Sequence, residues 1–384
     1  MTKGAEIVAR ASVSIRDQDA GERLLRALGP GPFSLILLLM SPQADLAGMA
    51  QAFRASHAGA QIVGCTTAGE ITGAGYEEET VVAIGFSAQH FAAETLLIPD
   101  LDHFSRNAVA AAFLQARQRL LLAHSGFAHE CALLLVDGLS VREDELAAAL
   151  AGGAGNIPMI GGSAGDGTRF ARTFILHDGQ LLQHAAVLCV LRSDCPVQAL
   201  NMDHLDPTGQ RMVVTDADPA ARIVRRINAE PAAQEYARLL GKDPASLDSL
   251  TFAAYPLALR MGPRHHVRAI QRMLPSGDLL FFSAIASGVV LSVTRPRDMV
   301  AHLETELQRL AAPGRPIAIL GFDCILRRVE AREKQLAGRV SEVLRRHQVW
   351  GFSTYGEQIG PMHVNHTLTG CAFYPPGTRI EAAQ

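Results

Sequence analysis

The chain lacks any C-x-x-C pair. Six cysteines (Cys65, Cys131, Cys189, Cys195, Cys324 and Cys371) are scattered over 384 residues, most of them inside apolar runs such as ECALLLVD and AAVLCVL. That excludes a disulfide frame and a thiolate zinc site, and reads the thiols as small, reduced core residues. Excess charge is missing too: 35 Lys+Arg stand against 38 Asp+Glu, a formal net charge of −3. Such a balance argues against a nucleic-acid footprint and a polybasic membrane patch. No apolar run approaches the ~18–20 residues of a membrane span. The N-terminal stretch MTKGAEIVARASVSIRDQDAG carries charges throughout, unlike a signal peptide. The expectation is a cytoplasmic protein with no membrane insertion and no nucleic-acid partner.

Catalytic signatures are equally scarce. There is no phosphate-binding G-x-x-x-x-G-K-[ST] loop, no H-E-x-x-H and no carboxylate-rich calcium loop. The glycines of IPMIGGSAGDG have the wrong spacing for a dinucleotide fingerprint. Cys65 has nothing local to activate it as a nucleophile, and a hydrolase built on Cys65 or Ser163 is the weakest reading. The expectation is a non-enzymatic protein.

What is present is an alternation of apolar strands and helices. SLILLLM at 34–40 reads as a strand buried on both faces, followed by a helix with Ser41 as N-cap and Pro42 at N1. Strands follow at 61–64, at 80–86 and 92–98 as a hairpin, then a helix at 107–124, a strand at 131–137 and a helix over VREDELAAAL. Segment 157–162 enters a glycine-rich loop, with strands near 172–177 and 184–192. Short helices are expected near 219–229 and 232–240, and three strands between 267 and 294. A helix at 297–311, the strand PIAILGFDC and a charged helix at 330–347 complete the pattern. Length beyond one ordinary core suggests two lobes with a ligand cleft: an extension and first strand over 1–30, then units over 31–220 and 221–384. The fold class is α/β (α+β) with mixed sheets.

One internal echo stands out. GCTTAGE at 64–70 and GFSTYGE at 351–357 share G-x-[ST]-T-x-G-E, each directly after a short apolar strand, and IPMIGGSAGDG repeats the strand-to-glycine-loop idea without the Glu. These loops read either as tight strand ends or as the walls of one cleft. Among fourteen histidines, His363 and His366 in MHVNHTLTG are distinctive. Three apart on a strand they point to opposite faces, so they do not ligate one metal together. Each has an ordinary structural reading beside a sharper one, in which a single imidazole is the axial ligand of a haem iron. Met362, Val364, Leu368 and Phe352 would line its cavity, and Arg260, Arg268 and Arg272 would supply charge.

In order along the chain, GCTTAGEI, IGGSAGDG followed by FARTFILHDG, FDCILRR and GFSTYGEQIGP…VNHTLTG resemble the FIST sensory family, with a FIST N unit over 31–220 and a FIST C unit over 221–384. The resemblance implies a ligand-sensing module in bacterial signal transduction. Within the family, GEQ at 356–358 followed by MHVN is similar to stand-alone members that bind haem b and sense nitric oxide. These act on a partner histidine kinase in biofilm and cyclic-di-GMP signalling. The resemblance then implies His363 as the iron ligand with His366 as second choice, Gly356 and Glu357 as the cleft floor, and Arg268 as the anion contact, with Met362 and Phe352 beside the cofactor. A homodimer is compatible with it. The alternative is a haem-free receptor for a small ligand such as an amino acid, with Arg268 and the Glu357 loop holding its charged ends.

Overall fold

The computed structural model describes residues 6–261 and 264–380; the first five residues of the charged N-terminal stretch fall outside it. Three of its four sheets are copies of one plan. In the first, Val8–Ser14, Thr80–Ser87, Phe33–Met40 and Gln61–Thr66 lie side by side. In the second the order is Phe91–Ile98, Ala186–Ser193, His129–Val136 and Met159–Ser163, and in the third Val197–Met202, Leu368–Phe373, Ala318–Cys324 and Val349–Thr354. Each time the third and fourth strands are parallel, with one or two crossover helices between them: Leu46–Ser56, Glu143–Ala154, and Ile325–Glu333 with Ala337–Arg346. A further helix precedes each central strand: Ala20–Leu28, Arg106–Ala123 and Met299–Arg309.

Each sheet is completed by a hairpin borrowed from another repeat. Glu70–Thr72 and Gly75–Glu77, which follow the first repeat's fourth strand, pair with the third sheet. Glu357–Ile359 and Met362–Val364 leave the third repeat and pair with the second sheet. Ile175–His177 and Gln180–Leu182 leave the second and pair with the first. The exchange closes a three-fold ring within one chain.

Strand parity explains why the central strands are continuously apolar. Leu35, Leu37 and Leu39, with Cys131, Leu133, Leu135, Leu320 and Phe322, point into one shared inner core. The alternating residues Ile36, Leu38 and Met40 face the first repeat's helices, and Ala132, Leu134 and Val136 face the second's. A strand covered on both faces has no polar side to present.

The fourth sheet is an insertion. Leu205–Asp218, Ile223–Ile227, Leu257–Met261, Arg264–Arg268, Ile270–Met273, Leu279–Phe281 and Val290–Pro296 separate the third repeat's edge strand from its first helix. Residue 220, where the sequence suggested a boundary, lies in the turn between two paired strands of this inserted sheet.

Several local expectations are corrected. The first crossover helix begins at Leu46 with Asp45 as its cap, accepting from Gly48 N at 2.9 Å, while the Ser41 hydroxyl bonds Gln43 Oε1 instead. Thr80–Ser87 and Phe91–Ile98 form no hairpin, because the turn between them is a crossing from the first sheet to the second. Segment 219–229 holds the strand Ile223–Ile227 rather than a helix, bounded by Arg222, Asn228 and Ala229 at positive φ. The charged helix expected over 330–347 is two helices broken near Gln335, which has φ 56.

Candidate functional site

The glycine echo marks equivalent points of the ring. Gly64, Gly161 and Gly351 sit opposite Leu38, Leu134 and Gly321 in the parallel pairs. Counting on, Gly69 corresponds to Gly356 and Glu70 to Glu357, while the second repeat carries Asp166 and Gly167 there. The hairpin registers make Tyr76 the counterpart of His363. Glu79, His184 and His366 are likewise equivalent and share positive φ of 54, 50 and 60.

Both glutamates latch a crossing hairpin to the repeat it leaves. Glu70 accepts from the Thr67 hydroxyl and, at 3.2 and 2.8 Å, from Thr80 N and Oγ1. Glu357 accepts from the Thr354 hydroxyl and, at 3.3 and 2.6 Å, from Thr367 N and Oγ1. Burial raises both carboxyl pKa values, that of Glu357 to about 8. Glu357 thus joins the hairpin to the third sheet and does not floor a cleft.

His363 is buried at the edge of that hairpin. Gln358 Nε2 bonds Ser163 Oγ at 2.9 Å and faces His363 Nδ1 at 3.1 Å. A donor at Nδ1 leaves the ring proton on Nε2. Among the described residues that nitrogen has no partner, and neither do Asn365 Nδ2, Gln358 Oε1 or Arg268 Nε, all buried. The Arg268 guanidinium reaches the His363 carbonyl at 3.3 Å, and Ser283 donates to Asn365 Oδ1 at 2.6 Å. Arg268 and Ser283 come from the inserted segment, which also docks through a buried Arg222–Glu143 ion pair. Burial lowers the His363 pKa, opposed by Asp144 and Glu143 and reinforced by Arg222 and Arg268. The ring is therefore neutral near pH 7.

Gly356 closes the geometry. A Cβ there would stand 2.6 Å from His363 Nε2 and 2.9 Å from Asn365 Nδ2, so both orphan donors converge beside its Cα. An unpaired buried donor costs about 1–3 kcal/mol, so the two donors that meet beside Gly356 would gain from a ligand or water. A cleft of about 540 Å³ between the second repeat and the insertion is lined by Gly138, Leu139, Phe170, Arg222, Arg272 and Phe282, and by none of the shell residues.

The sequence-derived residues thus divide. His363, Arg268 and Gly356 come together, and Met362 is half-buried on the same short strand. Phe352 belongs to the inner core, edge-on to Phe322 at 5.6 Å, and Leu368 to the third repeat's outer core. His366 turns away to Glu330 Oε2 at 2.9 Å. Gln358, Asn365 and Ser283 were not singled out, although the first two are part of the GEQ and MHVN motifs; Ser163 was named only as a nucleophile.

The site does not fit a haem iron on His363. Axial ligation takes an imidazole lone pair with a free hemisphere before it. Here Gly356 covers the Nε2 edge of the ring, where a porphyrin plane would have to lie, and Gln358 holds Nδ1. Nor does the hydrolase reading assemble. Gly161–Gly165 has the G-x-S-x-G spacing of a nucleophile elbow. Ser163 is buried, no helix follows it, and its oxygen is held by Gln358 with no base beside it. Burial also pushes the Cys65 thiol far up.

The class follows from the family models: this is a signalling sensor module. The chain belongs to the FIST family, the FIST N domain matching residues 34–230 and the FIST C domain residues 232–360. No curated protein matches it in sequence. A crystal structure of a chorismatase is similar over 97% of this chain and 100% of its own, at 11% identity and a TM-score of 0.36. So remote a likeness carries no argument. Among the described residues no helix is long and apolar enough to cross a membrane.

Proposed function

We propose that the chain is a non-enzymatic receptor whose Gly356 shell takes the charged end of a compact organic ligand, and that an α-amino acid or similar small carboxylate is the class it takes. The observation that carries this is the set of unpartnered buried atoms. His363 Nε2, Asn365 Nδ2 and Arg268 Nε are donors, and Gln358 Oε1 is an acceptor. A carboxylate supplies acceptors to the three donors and an ammonium supplies a donor to the acceptor. Arg268 and Ser283 belong to the insertion while His363, Asn365 and Gln358 belong to the ring, so an occupied shell would favour one packing of insertion on ring. A ligand shifts such an equilibrium only by its differential affinity for the two packings. A partner histidine kinase, as the narrower resemblance to the stand-alone members implies, would read the difference.

A thermal-shift screen of amino acids and small carboxylates tests this. A ligand at 100 times its Kd adds about 2.7 kcal/mol, and that gain is expected to vanish in Asn365→Ala and Arg268→Ala. A shift that survives both substitutions, or no shift with any member of the class, overturns the assignment. One equivalent of haem bound with an intense Soret band, lost in His363→Ala, would replace it with the gas-sensor reading.

A further inference from the structure

Among the described residues two clusters of metal-binding side chains lie outside the Gly356 shell, and one of them is already spoken for. His204, Glu330 and His366 are buried with their donor atoms within 4.8 Å of one another. However, Arg327 Nη1 donates to His204 Nδ1 at 2.9 Å and Lys334 holds Glu330 Oε1 at 2.5 Å. The His204 proton therefore sits on Nε2, facing Glu330 at 3.0 Å, and the cluster has its cations from the protein.

The second cluster has no such cation. His90 Nδ1 lies 3.1 Å from both oxygens of Asp194, and Cys195 Sγ lies 3.4 Å from Asp194 Oδ1. All three donor atoms fall within 4.8 Å of each other. A tetrahedral zinc ion with bonds near 2.0–2.3 Å has ligand–ligand edges of roughly 3.3–3.6 Å, so the observed spacing needs only small adjustments. The loop is braced for it: Ser193 Oγ bonds His90 O at 2.8 Å and accepts from Cys195 N at 2.8 Å, and Asp194 N bonds His90 O at 3.3 Å. His90 and Asp194 side chains keep 27% and 33% exposure, so the site is reachable from solvent although Cys195 is buried.

We propose that His90, Asp194 and Cys195 form a binding site for a zinc-like divalent cation, with the fourth position open to water. On binding, the Cys195 thiol releases its proton to solvent and the His90 proton moves from Nδ1 to Nε2. Thiolate and carboxylate then neutralise the ion, which suits a half-buried place. His90 stands in the crossing from the first repeat to the second, and Asp194 and Cys195 in the crossing from the second to the third. The ion would tie the two crossings together. Sequence reading took Cys195 for a plain core thiol because its partner His90 is over a hundred residues away.

Titrating metal-stripped full-length protein with Co2+ tests the site. One equivalent is expected to give tetrahedral d–d bands and a thiolate-to-cobalt charge-transfer band, to release one proton, and to raise the melting temperature. Cys195→Ser is expected to lose the charge-transfer band, and His90→Ala to bind tenfold or more weakly while melting like the wild type without metal. Absence of the charge-transfer band in wild type, or its persistence in Cys195→Ser, overturns the proposal. Arg268→Ala is expected to bind cobalt normally, which separates this outcome from the fate of the Gly356 shell.

Discussion

Two junctions of the ring, at Gly69 and at Gly356, have one backbone plan and opposite contents. Each has a glycine, a buried glutamate latched by two threonines, and a hairpin that crosses to another sheet. At Gly69 the space is filled from within. The Arg328 guanidinium lies where a Cβ on Gly69 would go, its terminal nitrogens bonding the Glu70 and Glu77 carbonyls and Ser353 Oγ, with only Nε left over. Tyr76, the counterpart of His363, is stacked under that guanidinium and donates to Asp323. At Gly356 no cation enters from the ring, and the insertion brings Arg268 only as far as the His363 carbonyl. The third junction has lost its latch, with Gly167 and Ala185 at the Glu and Thr positions, and is sealed by Tyr355 stacked on Phe170 at 4.4 Å. A repeated scaffold thus supplies three places: a cavity of about 280 Å³ borders Gly69, Glu70, Asp166 and Gly167 at the first two, while buried donors are left unpaired at Gly356. On the proposed reading, the guest belongs to the place where buried donors are left unpaired.

The sharpest way to break this contrast is to remove the two arginines in turn. Arg328→Ala leaves two buried carbonyls and a hydroxyl unpaired beside a cavity, and is expected to cost about 3–5 kcal/mol of stability. Arg268→Ala removes two bonds of 3.2 and 3.3 Å to carbonyls, and is expected to cost about 1–2 kcal/mol. Urea unfolding of the two variants measures both. Equal losses would mean that the Gly356 junction is as much a structural plug as its counterpart.

The extent to which this could be read beforehand follows the range of the interactions. Strand parity and apolar runs are local, so the central strands and most helices were legible, and ordered motifs along the chain marked the FIST family. The echo GCTTAGE/GFSTYGE was also visible, but its meaning was not. A hairpin's partner sheet leaves no trace in its own residues, so Thr80–Ser87 and Phe91–Ile98 looked like partners when they are neighbours in sequence only. Glu357 looked like a ligand contact because a glutamate beside glycines advertises chemistry; its actual partners, Thr354 and Thr367, are near in sequence, yet only folding shows them closing on it. His363 was found from its motif. Arg268 was found as a cation in a strand, and its meeting with His363 depends on an insertion docking across 95 residues of chain.

The next contrast is in pH dependence. Burial holds the Glu357 carboxyl at about 8 against an ordinary 4.5, and no cation offsets it, whereas Arg328 lowers the Glu70 value. A raised carboxyl pKa means that the folded state keeps a proton the unfolded state has lost. Stability therefore falls as pH rises from about 4.5 to about 8, by on the order of 3 kcal/mol at pH 7. Glu357→Gln, which still accepts from a threonine, is expected to flatten the stability profile over that window more than Glu70→Gln does. Denaturant midpoints measured from pH 5 to about 8 for both variants decide it. An unchanged slope in Glu357→Gln would show that this latch is ionised in the fold.

The smallest expected effect on stability is the most telling about binding. Gly69 has φ +121, which an L side chain rarely adopts, and its Cβ would strike the Arg328 guanidinium; Gly356 carries no such backbone constraint. Gly356→Ala brings a methyl to 2.2 Å from His363 Cε1 and 2.9 Å from the Asn365 amide, so it is expected to cost about 1–2 kcal/mol as overpacking, and Gly69→Ala more, because strain adds to displacement of a buried cation. A methyl at Gly356 occupies the point on which His363 Nε2 and Asn365 Nδ2 converge. Ligand-dependent stabilisation should therefore disappear in Gly356→Ala while the protein still unfolds in one cooperative step. If Gly356→Ala keeps the ligand's thermal shift, the orphan donors of this junction are not where the guest sits, because no carboxylate oxygen can share that point with a methyl group.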